Sequence, residues 1–209
     1  MENNDSNNME KNDSNNIENN ISINIENNNS NNNENKGKVD IKEIFSWIAY
    51  LGSAGLIALF LVNFVIINAY IPTGSMENTI MPKDRVIASR LHYHFAKPQR
   101  GDIVVFKFPD DEKTNFVKRV IGLPGETVEI KLGEVFVDGV KLEEPYLKEE
   151  MRKENYGPYI VPADSYFMMG DNRNDSKDSR FWVTTNYVHK SKILGKVAFE
   201  YFPRPKLLW

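Results

Sequence analysis

The chain contains no cysteine. That excludes disulfides, thiolate catalysis and any zinc site built on cysteine. Histidine is scarce as well: only His92, His94 and His189 occur. His92 and His94 are spaced as two metal ligands could be, but no third ligand cluster accompanies them, so no metal or other cofactor is expected. An excess of positive charge is also missing. Lys and Arg number 26 against 29 Asp and Glu, a formal net charge of −3, which argues against a nucleic-acid partner. Runs of helical period are few after residue 71, and Gly-x-Ser-x-Gly and Ser-x-x-Lys do not occur. Without disulfides, the C-terminal segment must be held by an apolar core, and it is long enough to build one.

Residues 1–40 are mostly Asn, Glu, Asp and Ser with isolated Ile. Such a segment buries too little apolar surface to offset the entropy of ordering, so a disordered, cytoplasmic Asn-rich tail is expected. Lys36, Lys38 and Lys42 then precede an uncharged run from Ile44 to Ile67. Its length, about 36 Å as a helix, exceeds a hydrocarbon core of about 30 Å. Residues 41–70 are therefore expected to form one transmembrane helix, with Asn63 its main polar exception. The run is too long, and too far from the N-terminus, for a cleavable signal sequence. Lysines before it, and none from Asn68 to Pro82, put the N-terminus in the cytoplasm and residues 71–209 outside a plasma membrane.

From Ile71 the pattern is one of short strands and turns. Strands are expected at Gly101–Phe108, Phe116–Ile121, Thr127–Ile130, Ser165–Met169 and Val197–Phe202. Asp138-Gly139 joins 134–137 to 140–142 as a hairpin. The charged, proline-punctuated stretch 143–162 reads as a surface excursion. The fold class is mainly β, an antiparallel β-sheet domain behind one helix and a tail.

Ile71-Pro72-Thr73-Gly74-Ser75-Met76 begins where the apolar run ends. Ser75 sits in a turn-forming setting, and a serine hydroxyl needs a base to become a nucleophile. His92 and His94 lie in a basic, aromatic stretch that reads as an exposed strand or loop. Lys118 lies in the strand Asn115–Ile121, where alternation sends it and Arg119 to opposite faces. One of the two must face an apolar side or a cleft. Desolvation there lowers a lysine pKa; a shift from about 10.4 toward 7 requires roughly 4 to 5 kcal/mol. The local residues leave the base open between these candidates.

Four motifs in order narrow the choice. They are Pro72-Thr73-Gly74-Ser75-Met76, Gly101-Asp102-Ile103-Val104, Lys118-Arg119-Val120-Ile121-Gly122-Leu123-Pro124-Gly125-Glu126, and Gly170-Asp171-Asn172-Arg173 continuing to Arg180. Together, behind an apolar anchor, they resemble bacterial type I signal peptidase, a membrane-anchored serine–lysine protease. The resemblance covers about Ser46 to Pro203. It implies Ser75 as nucleophile and Lys118 as general base. It implies an oxyanion hole from the Thr73 hydroxyl and Ser75 N–H, and Ser176 as the hydroxyl that orients the lysine. Arg119, Asp171, Arg173, Asp178 and Arg180 would scaffold the site; taken by themselves, the charged residues of the last motif read as a solvated, turn-rich loop held by salt bridges. Ile71, Pro72, Met76, Ile80, Phe116 and Val117 would line shallow substrate pockets.

The implied reaction is removal of signal peptides from exported preproteins after small residues of Ala-x-Ala type. The implied partners are those preproteins and the lipid bilayer, with the protein translocation channel nearby. Phe106 and Phe108 read as core, with lipid contact the alternative. Two departures stand out: Asn78 replaces a proline frequent in the family, although Thr79 is kept, and Val183 replaces a glycine after Phe181-Trp182. Two other readings remain, a non-catalytic, membrane-tethered peptide-binding domain of an export complex and a protease dedicated to one pilin-like substrate.

Overall fold

The computed structural model describes residues 40–208. The expected disordered tail falls outside the described residues, apart from Asp40. Helix α1 spans Ile41–Phe60 and continues as a π-helical turn over Leu61–Val65. Together, Ile41–Val65 makes a helix of 25 residues, long and apolar enough to cross a membrane. Two of its polar side chains bond within the helix: Asn63 Nδ2 donates to the Leu59 carbonyl at 2.8 Å, and Ser53 Oγ to that of Tyr50 at 2.9 Å.

The helix does not reach residue 70. Ile66–Tyr70 is strand β1, paired residue for residue with β2 (Arg85–Ser89) from Ile66↔Ser89 to Tyr70↔Arg85. Hydropathy alone carried the expected helix through this stretch. Its β-branched residues suit an extended chain, and a waiting partner strand decides the matter.

The remaining strands are β3 (Ile103–Lys107), β4 (Asn115–Gly122), β5 (Thr127–Lys131), β6 (Glu134–Val137), β7 (Val140–Lys141), β8 (Tyr156–Ile160), β9 (Ser165–Met169), β10 (Val188–His189), β11 (Ile193–Phe202) and β12 (Lys206–Leu207). They form an eight-stranded sheet in the order β1-β2-β11-β3-β4-β9-β10, with β12 on β11, and a four-stranded sheet, β7-β6-β5-β8. Every strand pairing recorded is antiparallel, so the mainly-β expectation holds. Within 143–162, however, lies a strand, β8. It is an edge strand carrying Pro158, which suits an edge because proline cannot donate to a ladder. His92–Phe95 forms a short helix, α2, rather than an exposed strand or loop.

Three apolar clusters hold the sheets. One gathers Ile67, Ile71, Met76, Ile80, Val86, Ile103 and Val105; a second Ile121, Val128, Ile130, Val135, Phe167 and Met169; a third Val104, Phe106, Phe108, Val120, Met168 and Trp182. Each such side chain removed from water contributes about 1.5–3 kcal/mol. Phe106 and Phe108 belong to this core, buried to 0% and 6% exposure, so lipid contact is not their role.

Candidate active site

The turn that carries Ser75 and strand β4, through Val117, are brought together by the first cluster. Ile71, Met76 and Ile80 are buried in it, which pins the chain on both sides of Ser75. Met76 O accepts from Ile80 N–H at 2.8 Å and from Thr79 N–H at 3.1 Å, closing a helical turn just after the serine. On β4, positions 116, 118 and 120 share one face and 117, 119 and 121 the other. Phe116 and Val120 pack with the third cluster and Ile121 with the second. Lys118 and Arg119 are thus carried into the interior in opposite directions, at 4% and 8% exposure.

Lys118 Nζ lies 2.6 Å from Ser75 Oγ and 3.1 Å from the Val117 carbonyl. Burial lowers its pKa to about 8, with the carboxylates of Asp178 and Asp171 pulling the other way. Burial explains the shift, because it withdraws the amine from the solvent that would stabilise an ammonium. A neutral amine in contact with a hydroxyl can accept its proton, and Ser75 is itself 9% exposed.

Opposite faces of β4 receive different treatment. Arg119 forms a bidentate pair with Asp171, Nε to Oδ1 at 2.8 Å and Nη2 to Oδ2 at 2.6 Å, and its Nη1 donates to the Gly101 carbonyl at 2.7 Å. Asp171 also accepts a hydrogen bond from Thr79 Oγ1. Asp178 and Arg180 form a second bidentate pair, both contacts 2.8 Å. Arg180 Nη2 reaches the Arg173 carbonyl at 2.8 Å, and Arg173 pairs with Glu144. Asp171, Arg173 and Asp178 are buried to 0%, 2% and 0% exposure. These charges are therefore interior ties, not the solvated loop that their composition suggests. Each buried charge is neutralised by a fork-shaped partner, the arrangement under which ion pairs survive burial.

Not every expected residue lands where anticipated. Ile80 is fully buried and does not line the cleft; Ile71, Pro72, Met76, Phe116 and Val117 do, in a cavity of about 680 Å³ that also borders Thr73, Ser75 and Lys118. Among the described residues Ser176 Oγ is buried without a hydrogen-bond partner, so the expected bond to Lys118 is not formed here. The three histidines stay outside the cleft lining.

Several participants have no role assigned from the sequence, although Gly170 and Asn172 lie within the last motif. Asn172 Nδ2 donates to the Gly74 carbonyl at 3.0 Å, and its N–H to the Ser75 carbonyl at 3.1 Å. Gly170 packs so closely that a Cβ there would strike the Ser75 carbonyl and Ser176 Oγ. Glu144 sits in a stretch with no element to announce it. Val183 has an ordinary negative φ and is 89% exposed, so this turn does not need glycine. Along β4, pairing with β9 begins only at Arg119, leaving that edge of Asn115–Lys118 open among the described residues.

The family sequence model described as "Signal peptidase, peptidase S26" matches residues 44–202. A signal peptidase I of Leptolyngbya laminosa is 41% identical over 164 residues, 75% of this chain and 79% of the relative. Signal peptidase I P of Bacillus subtilis subsp. natto is 36% identical over 182 residues, 82% of this chain and 96% of the relative. A crystal structure of a signal peptidase I from Enterococcus faecalis, 35% identical, covers 48% of this chain and 97% of that one with a TM-score of 0.42. The chain belongs to the signal peptidase family of peptidases S26. It is accordingly an enzyme of the signal peptidase I type.

Proposed function

We propose that this chain is a membrane-bound serine endopeptidase that cuts N-terminal signal peptides from exported preproteins, using Ser75 and Lys118. The 2.6 Å contact between a buried amine and the serine hydroxyl carries this reading. A peptide-binding domain without catalysis has no use for a lysine held against its solvation preference.

Neutral Lys118 takes the proton of Ser75 Oγ as the oxygen bonds to the scissile carbonyl carbon. The resulting oxyanion is held by Thr73 Oγ1 and the Ser75 N–H, donors of a kind each worth about 2.7–4 kcal/mol. Protonated Lys118 then gives its proton to the departing amine as the C–N bond breaks. Water, deprotonated by the same lysine, attacks the acyl ester; the serine oxygen leaves and recovers a proton. Ser176 has a free hydroxyl beside this machinery, and we assign it the orientation of Lys118 during turnover, when catalytic hydrogen bonds tighten.

The substrate adds as an extended strand to the open edge of Asn115–Lys118, a mode that reads backbone and leaves side chains to pockets. Ile71, Pro72, Met76, Phe116 and Val117 give that cleft apolar walls, suited to small residues of Ala-x-Ala type. The run Ile41–Val65 anchors the chain in the plasma membrane with its N-terminus cytoplasmic. The catalytic domain is then extracytoplasmic, where preproteins emerge from the translocation channel. Cleavage of a preprotein by the full chain in detergent micelles tests the whole reading. Ser75→Ala and Lys118→Ala should each abolish it, and activity retained by either removes the dyad.

A further inference from the structure

The segment between β7 and β8 was expected to be a mere excursion, yet it is fastened at several points to the turn that carries Ser75. Asn78 Nδ2 donates to the carbonyls of Tyr146 and Leu147 at 3.1 and 3.2 Å. Next to it, the Glu77 carboxylate pairs with Lys148 Nζ at 2.5 Å and lies directly over Gly74, where a Cβ would meet it. The Tyr146 ring packs under the Arg119 guanidinium at 3.9 Å, one residue from Lys118 on β4. Two residues earlier, Glu144 binds Arg173 through Nη1 at 2.7 Å and accepts the Tyr146 hydroxyl at 2.8 Å. Five consecutive residues therefore reach the nucleophile turn, the base strand and the last charged motif.

Asn78 is the point where this differs from a generic turn. Its φ is 85°, in the left-handed region that asparagine tolerates and proline cannot enter. The departure noted in the sequence thus selects a backbone shape that aims the amide at residues 146 and 147. No reacting group is involved, so the effect must be on position. A nucleophile and base must hold hydrogen-bond geometry, and misplacement by about 1 Å can cost about a hundredfold in rate.

We propose that Glu144–Lys148 is a strap that holds the Ser75 turn in register with Lys118, with Asn78 and Lys148 as its positioning residues. The inference rests on the Ser75–Lys118 reading. A loosened strap leaves substrate binding at the cleft walls intact but lets the amine part from the hydroxyl and admits water. Lys118 then becomes easier to protonate, while Asp178 and Asp171, which also act on it, stay in place.

The test uses the full chain in detergent micelles and a preprotein substrate. Asn78→Gly keeps the left-handed backbone and removes both amide bonds. It should lower kcat about tenfold with KM within about twofold, and move the rising limb of the pH–rate profile upward. Lys148→Met breaks only an exposed ion pair, so its folding is not in question; it should act in the same direction by about threefold. A purely structural tie would not move the pH limb. If both variants keep the wild-type kcat and pH limb while Ser75→Ala is inactive, the strap is refuted and the dyad stands. Should Ser75→Ala still cleave, the dyad fails and the strap with it.

Discussion

With Lys118 as the proposed base, the pH dependence of cleavage follows from where it sits. Its pKa is lowered to about 8 by burial. Below that value the amine is mostly protonated and cannot receive the serine proton. At about pH 7 roughly one molecule in ten carries a neutral amine, and at about pH 8 roughly half do. Hence kcat/KM should climb nearly tenfold per unit in acid, about fivefold between pH 7 and 8, and level off above about 9. Initial rates on a preprotein in micelles, from about pH 6 to 10, measure this directly. A flat profile, a limb near 6.5 as a histidine would give, or one near 10.4 as an exposed lysine would give, refutes the assignment.

The same displacement has a consequence for stability, with a definite sign. Unfolded Lys118 titrates near 10.4 and the folded residue near 8, so between these values the unfolded state binds more protons and stability rises with pH. The destabilisation is fully present below about pH 8 and gone above about 10.4. A gap of roughly 2.4 pH units corresponds to about 3 kcal/mol. Lys118→Met should therefore be inactive yet more stable than wild type at neutral pH, by up to about 3 kcal/mol, with the gain vanishing in strong alkali. Thermal unfolding in micelles at several pH values checks it; a destabilised Lys118→Met would mean that the amine is not under strain from desolvation.

Other outcomes are simpler to state. Thr73→Val removes the proposed oxyanion donor and should cut kcat by a hundredfold or so with little change in Tm; an unchanged rate takes Thr73 out of that role. Ser176→Ala should slow turnover more mildly and shift the pH limb, and an unaltered profile would mean that it does not act on Lys118. Gly170→Ala forces a Cβ against the Ser75 carbonyl and Ser176 Oγ. It should destabilise by about 1–3 kcal/mol and lower activity; wild-type cleavage and Tm would contradict the packing described.

Much of the candidate site is legible in the sequence. Strands β3, β4, β5, β6 and β9 follow from alternation and turns, and the order of motifs pointed to Ser75 and Lys118. Three features were not legible, each for a physical reason. The end of the apolar run reads as helix because hydropathy is blind to a partner strand, yet β1 pairs with β2 across five residues. Strand β8 is interrupted by proline and largely exposed, so it lacks any apolar alternation. The charged ties among Arg119, Asp171, Arg173, Asp178 and Arg180 look like solvated polarity, because a sequence does not show which opposite charge will meet each one.

Composition and order determined the residue types: one hydroxyl in a turn, one lysine inside an apolar strand, and an uncharged run before them. Those are local properties, written in neighbouring side chains. Whether Lys118 or Arg119 would meet the serine was decided only when β4 took its place between β3 and β9 and Met76 and Ile80 sank into the core. Proton affinity depends on what surrounds an amine in space, and for Lys118 the decisive contact comes from a residue 43 positions away.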